Sequence, residues 1–354
     1  MKQYRETYVK INTSHIQNNV SKIIKKYNQY QYYFGVVKAD CYGHDGIIPV
    51  KAIIDGGCNY LVVALLEEGL KIRKQVKNIP ILCLGVISEQ EIDICIQNNI
   101  TVTITSFEMA LKIVKTNCSG LKVHLKLNTG MNRLGIKKEE ELIKTVELLK
   151  EHHIFIEGIY THIYYAEDKE KTEKQFIKFE EMIQLVKDIP IIHVCASEAL
   201  VNYPKRNFVN GCRLGIMMYG FTSDKSLELE STFSLHSKVI QINELEENET
   251  VGYNGAFKTN KQEKIAVIPI GYADGIIRKN TGRCVYIHNL PYKIVGNICM
   301  DMLFVKVDDY VKIGDEVILL KDIKHIEEVA KYLDTIPYEI ICSVGKRVPR
   351  IYEC

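Results

Sequence analysis

Tyr33-Phe34-Gly35-Val36-Val37-Lys38-Ala39-Asp40-Cys41-Tyr42-Gly43-His44 is a short apolar run that stops on a lysine and then breaks into turn residues. Residues 33–37 carry no polar alternation, which is how a parallel strand buried on both faces reads. Runs of the same kind recur at 60–64, 81–86, 101–105, 122–127, 156–162, 191–194 and 208–213. Amphipathic stretches separate them. In residues 138–151, Leu142, Val146 and Leu149 recur at spacings of four and three and mark one buried helical face. Eight strands alternating with helices predict a (β/α)8 barrel. An open doubly wound sheet usually needs fewer strands, but periodicity alone leaves it open.

The rhythm changes near Ser231. Segments 233–242, 263–270, 283–287, 292–295, 302–307 and 316–320 are short, β-rich and separated by turn residues, with one helical pattern at 325–333. The chain therefore divides into an α/β barrel domain over residues 1–230 and a mostly β domain over 231–354. A strand at 7–11 precedes the first helix and fits either domain, so pairing of residues 1–12 with the C-terminal domain stays open.

The composition suits a globular enzyme: 354 residues, 46% hydrophobic and 25% charged, with a formal net charge of +2. That charge gives no electrostatic reason to expect nucleic acid or an anionic membrane as a partner. The segment Met1 to Lys10 is polar and charged, unlike a signal peptide, and no apolar run approaches the roughly 18 residues of a membrane span. A cytoplasmic location is expected. The 11 cysteines include no C-x-x-C pair, which argues for reduced thiols and against a metal site.

Lys38 follows the first barrel strand, and the C-terminal strand ends of a barrel face its active site. A lysine buried there loses solvation and favours its neutral amine, a nucleophile toward a carbonyl. A Schiff base with an aldehyde cofactor requires such an amine. The plainer reading is a lysine that snorkels or pairs with a carboxylate.

Val36-Val-Lys-Ala-Asp-Cys-Tyr-Gly-His44 resembles the cofactor-lysine segment of the alanine racemase family. Further segments match that family in the same order: Lys126-Leu-Asn-Thr-Gly-Met-Asn-Arg133-Leu-Gly, Arg213-Leu-Gly-Ile-Met-Met-Tyr-Gly220, Val251-Gly-Tyr253, Ile270-Gly-Tyr-Ala-Asp-Gly275, Gly296-Asn-Ile-Cys-Met-Asp301 and Arg347-Val-Pro-Arg350. The resemblance spans essentially the whole chain. It implies a barrel followed by a β domain, pyridoxal 5'-phosphate as cofactor, and a homodimer whose active sites are shared between subunits. The implied reaction interconverts L- and D-alanine by a two-base mechanism and supplies D-amino acid for peptidoglycan precursors.

The roles carry over by position. Lys38 matches the lysine that holds the cofactor and serves as base on one face of the substrate. Tyr253 matches the base on the opposite face, supplied by the other subunit; a tyrosine needs cationic neighbours for that work. His162 matches the residue between that tyrosine and an arginine. Arg213 matches the arginine at the pyridine nitrogen, where a group that keeps its proton leaves the ring a weaker electron sink. Arg133 matches the arginine beside the cofactor's phenolic oxygen and the substrate carboxylate. Tyr42, Ser197, Gly215 and Ile216 match the phosphate site, and barrels often place phosphate after strands seven and eight. Met300, Asp301 and Tyr272 match the substrate pocket and its entrance, and Lys126 matches a lysine carbamylated in some members. Taken alone, several of these residues would read as ordinary: Ser197 as a helix cap, Asp301 as a turn residue, Arg133 as a surface side chain.

Three departures touch substrate choice. Lys346 stands where the family commonly has a pocket-wall tyrosine, with its ammonium expected to reach the phosphate. Asn297 replaces a common arginine. Asn128 and Asn132 replace aspartate and glycine in the Arg133 segment. The rival substrate is serine, as in the racemase domains of vancomycin-resistance proteins, which also lack that tyrosine. A non-catalytic barrel that binds the cofactor would lack the β domain and Tyr253. A related decarboxylase would carry an acid at the position of Arg213.

Overall fold

The computed structural model describes residues 4–354. The first three residues of the N-terminal segment considered above lie outside the described residues. Strand β1 (Tyr8–Asn12) leads into the helix Thr13–Lys26. The Asn12 side chain accepts from the His15 amide and caps that helix, while Ile16, Val20 and Ile23 bury one face.

Eight parallel strands then close into a barrel: β2 (Tyr32–Val36), β3 (Tyr60–Val63), β4 (Ile81–Cys83), β5 (Ile100–Ile104), β6 (Lys122–Lys126), β7 (Phe155–Tyr160), β8 (Ile191–His193) and β9 (Gly211–Leu214). Pairing of Phe34 with Arg213 joins β9 back to β2. Each expected run overlaps its strand, with ends displaced by a few residues. The helix Glu139–Glu151 starts with three glutamates that complement its N-terminal dipole, and it buries Leu142, Val146 and Leu149 as the spacing predicts.

Barrel interiors are usually filled by branched aliphatic side chains. This one departs from that pattern. Phe34 on β2 stacks on His193 of β8 at 4.4 Å and on Tyr60 of β3 at 4.6 Å, and His193 stacks on Tyr160 of β7 at 4.6 Å. His124 on β6 bonds His193 across the interior at 3.0 Å.

The C-terminal region supplies β10 (Phe233–Lys238), β11 (Gln241–Leu245), β12 (Thr250–Val251), β13 (Phe257–Lys258), β14 (Glu263–Ile268), β15 (Cys284–Ile287), β16 (Leu290–Val295), β17 (Leu303–Val307), β18 (Glu316–Leu320) and β19 (Arg350–Glu353). Nine strands form one sheet in the order β11-β14-β17-β16-β15-β18-β10-β1-β19, and β12 pairs with β13. The N-terminal strand β1 therefore lies inside the C-terminal sheet, antiparallel to β10 and parallel to β19. The run expected at 233–242 is two strands, because Val239 leaves the ladder to bond Asp315 and Gly314. The helix Ile323–Leu333 is joined by a second, Pro337–Ser343, which opens on a proline that suits the first helical position. No described helix is long and apolar enough to cross a membrane. All eleven cysteines are free thiols.

Candidate active site

Lys38 begins a turn with unusual backbone geometry. Ala39, Asp40, Cys41 and Tyr42 all have φ between 50° and 56°, so the segment winds as one left-handed helical turn. For residues with a Cβ this costs roughly 1–2 kcal/mol each. Surrounding groups hold it. The Ala39 amide donates to the Glu68 carboxylate at 2.6 Å, and Asp40 pairs with Lys71 at 2.9 Å. Arg350 donates to the Gly43 carbonyl at 3.0 Å. Gly43, at φ 81°, lies against the helix Pro337–Ser343 so closely that a Cβ would come within 2.3 Å of the Ile341 carbonyl oxygen.

The turn places Lys38 in a cavity of about 320 Å³ at the C-terminal mouth of the barrel. Tyr42, Arg133, His162, Ser197, Arg213, Gly215 and Ile216 line the same cavity, together with Lys126 and Tyr160. All eight positions matched to cofactor binding thus meet in one place. Burial, with Arg133 nearby, lowers the Lys38 pKa, which favours the neutral amine. Lys126 is pushed down to about 6 by burial and by Arg213 and Arg133.

Arg213 is buried and heavily engaged. Its Nη2 donates to the carbonyls of Thr161 and Val194 at 2.9 and 2.6 Å and to His162 Nδ1 at 3.1 Å. Its Nη1 donates to His193 Nδ1 at 2.8 Å. Burial and the surrounding cations hold His162 at about 2, so its ring is neutral at ordinary pH. Because Nδ1 accepts from an arginine, the His162 proton resides on Nε2.

A pyridoxal phosphate fits these residues. A Cβ on Gly215 would sit 3.2 Å from the Tyr42 hydroxyl and 3.5 Å from the Ser197 hydroxyl, so the bare glycine leaves a small cradle rimmed by two donors. A helical turn, Ile216–Tyr219, starts at the same point, and the first amides of such a turn lack partners within it. The guanidinium groups of Arg133 and Arg213, which keep their protons, give that cavity a positive charge suited to an anionic cofactor.

The remaining matched residues lie elsewhere on the chain. Tyr253, Met300 and Asp301 line a separate depression on the β domain, and Tyr253 is 70% exposed. Tyr272 adjoins them, its amide donating to the Cys299 carbonyl. Arg347 donates to Asp301 at 2.7 Å and approaches Asp274, which Arg5 grips with two bonds of 2.9 Å. Segments 270–275, 296–301 and 347–350 thus form one ion-paired cluster.

The departures acquire physical reasons. Asn128 Oδ1 accepts from the amides of Gly130 and Asn132, a task an aspartate also performs. Asn132 sits at φ 55°, a conformation asparagine tolerates better than most residues with a Cβ. Asn297 donates to the Tyr253 carbonyl at 2.9 Å and accepts from Arg278 at 2.7 Å, so it secures the loop that presents the tyrosine. Lys346 departs from expectation. Its side chain, 85% exposed, pairs with Asp40 at 3.0 Å and is absent from the cavity lining, because the nearer carboxylate draws the flexible ammonium outward. Tyr338 lines the cavity instead, 5.9 Å from the Tyr42 ring. The sequence reading missed Tyr338, whose setting in Pro337-Tyr-Glu carries no signal of its own. It also missed His193 and His124, which a histidine inside an apolar strand could have flagged.

Comparison with known proteins matches residues 11–223 to the alanine racemase N-terminal domain and residues 232–352 to the C-terminal domain of the same family. The chain belongs to the alanine racemase family. The alanine racemase of Methanococcus maripaludis is 36% identical, over 98% of this chain and 98% of that protein. That of Halalkalibacterium halodurans is 35% identical, over 99% and 95%. Among solved structures, the Bacillus anthracis alanine racemase with bound L-Ala-P superposes with a TM-score of 0.93 at 31% identity, covering 100% of this chain and 96% of that one. The Clostridium difficile alanine racemase gives 0.93 at 34%, covering 99% and 97%. Membership makes this chain an isomerase.

Proposed function

We propose that the chain interconverts L- and D-alanine with pyridoxal 5'-phosphate, in a homodimer whose two sites each draw on both subunits. The observation that carries this reading is the gathering of eight cofactor-type positions around one cavity at the barrel mouth. The names of the relatives favour alanine over serine. Pyridoxal phosphate, when bound, supplies an electron-withdrawing ring that acidifies the Cα–H of the amino acid.

The protein's own groups do the rest. Tyr42, Ser197 and the amides at Gly215 and Ile216 would anchor the phosphate. Arg133, at the rim, would orient the substrate carboxylate by charge. Arg213 offers only donors, so it leaves a ring nitrogen facing it unprotonated. The Lys38 amine, its pKa lowered by burial, takes up or returns a proton at Nζ on one face of Cα. Tyr253 of the partner subunit would serve the other face, and His162, with its proton on Nε2, would donate to its phenolate. Tyr253 sits on an exposed surface apart from the cavity of its own chain, which supports the shared arrangement.

The purified protein should convert L-alanine to D-alanine. L-serine should react more slowly, by roughly 100-fold or less, since a pocket that only tolerates an extra hydroxyl discriminates weakly. Borohydride should fix the cofactor to the peptide containing Lys38, and Lys38→Ala should lose turnover by orders of magnitude. Attachment to another lysine, or failure to racemise alanine, would refute the assignment.

A further inference from the structure

Behind Arg213 the barrel interior holds a line of polar side chains to which the reaction just described gives no role. It begins at Arg213, whose Nη1 donates to His193 Nδ1 at 2.8 Å. His193 Nε2 lies 3.0 Å from His124 Nδ1, and His124 Nε2 lies 3.4 Å from Glu157 Oε2. Glu157 also accepts from the Tyr60 hydroxyl at 2.6 Å and the Thr101 hydroxyl at 3.1 Å. Both imidazoles are wholly buried. Polar groups at this depth are costly unless paired, and aliphatic side chains would fill the space more simply.

Chemistry fixes the direction of the chain. A guanidinium has donors and no acceptor, so His193 Nδ1 must accept and its single proton sits on Nε2. That proton faces His124 Nδ1, which must therefore accept as well. The His124 proton is then on Nε2, facing the carboxylate. Stacking between Phe34 and Tyr160 holds the His193 ring in its plane. Burial keeps both histidines well disposed to stay neutral. Against the burial that would raise it, the nearby His124 ring and the hydroxyls of Tyr60 and Thr101 hold the Glu157 carboxyl down to about 2. The line therefore has a cation at one end, an anion at the other and two neutral, oriented rings between them.

We propose that Glu157 is a positioning residue for the cofactor ring. Through His124 and His193 it acts as the remote counter-charge of Arg213, fixing the orientation of the guanidinium and moderating the positive field it turns toward the ring nitrogen. This rests on the reading that Arg213 faces that nitrogen. The links from Arg213 through His193 to His124 are hydrogen bonds, and across the 3.4 Å from His124 Nε2 to the carboxylate a charge in a low-dielectric interior acts through its field.

Nitrogen-15 NMR of the cofactor-free protein, with labelled histidine, tests the chain without any turnover. Both rings should be neutral Nε2–H tautomers and stay so between about pH 6 and 9, where an ordinary histidine titrates. Glu157→Gln keeps an acceptor oxygen and the shape but removes the charge. It should move the His124 Nε2 proton upfield and lower kcat roughly tenfold, with KM changing about twofold or less. Thr101→Val removes one hydrogen bond from the same carboxylate, leaves its charge, and should leave kcat unchanged. The proposal is overturned if either wild-type ring carries its proton on Nδ1, if Glu157→Gln turns over like wild type, or if Thr101→Val loses as much as Glu157→Gln. Should the wild type fail to racemise alanine, the reading of the site falls, while the tautomers still decide whether the relay exists.

Discussion

Lys126 shows what a single buried side chain can cost. Its ammonium would face Arg213 and Arg133, and its pKa is driven from the usual lysine range to about 6. The unfolded chain holds this proton up to its ordinary pKa near 10.4, so between about 6 and 10 the unfolded state binds more protons than the native state. Stability then rises with pH across that window, and below it the full penalty applies. Replacing Lys126 with methionine should raise the melting temperature of the cofactor-free protein in degassed buffer. The gain should be larger at pH 6 than at pH 9. A gain that does not vary with pH would contradict a buried, proton-shedding lysine. At this scale the sequence was most legible where a residue sits inside a long motif, as Lys38 and Arg213 do. It was least legible where a flexible side chain chooses between partners. Lys346 could be placed by its backbone position, but its ammonium follows Asp40, and only three-dimensional proximity reveals that choice.

The left-handed turn at 39–42 makes opposite demands on two neighbouring positions. At Gly43 a methyl group would meet the Ile341 carbonyl at 2.3 Å and would strain a φ of 81°. Gly43→Ala should therefore destabilise the protein by about 3 kcal/mol or more. Ala39 is exposed and held at φ 51°, so Ala39→Gly removes strain at little packing cost and should be neutral or stabilising by up to about 1 kcal/mol. Chemical denaturation of both variants checks the pair, and equal destabilisation would show that the turn is not strained. The turn could not be read from local preference, since Ala-Asp-Cys-Tyr favours a right-handed conformation and is overruled by Glu68, Lys71 and Arg350. The strands were legible because burial on both faces leaves unbroken apolar runs. Their ends were not, because the ladder partner decides where a strand stops. β9 begins at Gly211, rather than in the apolar run before it, because Asn210 spends its carbonyl on the Gln31 and Tyr32 amides and its side chain on the Ile192 amide.

For the whole molecule, the separation of Tyr253 from Lys38 yields the decisive mixing experiment. Lys38→Ala and Tyr253→Phe should each be inactive as purified proteins. Mixed and allowed to exchange subunits, they should regain up to about a quarter of wild-type activity, through hybrid dimers with one intact site in two. If hybrids form and no activity returns, each chain supplies its own tyrosine. The barrel itself was legible from eight spaced runs. The order of the nine-stranded sheet was not, because several pairings, such as β10 with β18 and β1 with β10 and β19, join strands that are not consecutive and leave no periodic trace. The strand β1 is the extreme case: it lies between β10 and β19, near the two ends of the chain at once. During synthesis at roughly 5–20 residues per second, that strand emerges tens of seconds before β19 exists. Until β10 emerges the growing barrel trails an unpaired Tyr8–Asn12, and from then until β19 exists one edge of that strand stays open to neighbouring chains on the same message. A messenger that stalls or ends before codon 350 would thus release a barrel whose first strand still shows the edge that β19 covers, a product fit for degradation or clumping rather than partial service.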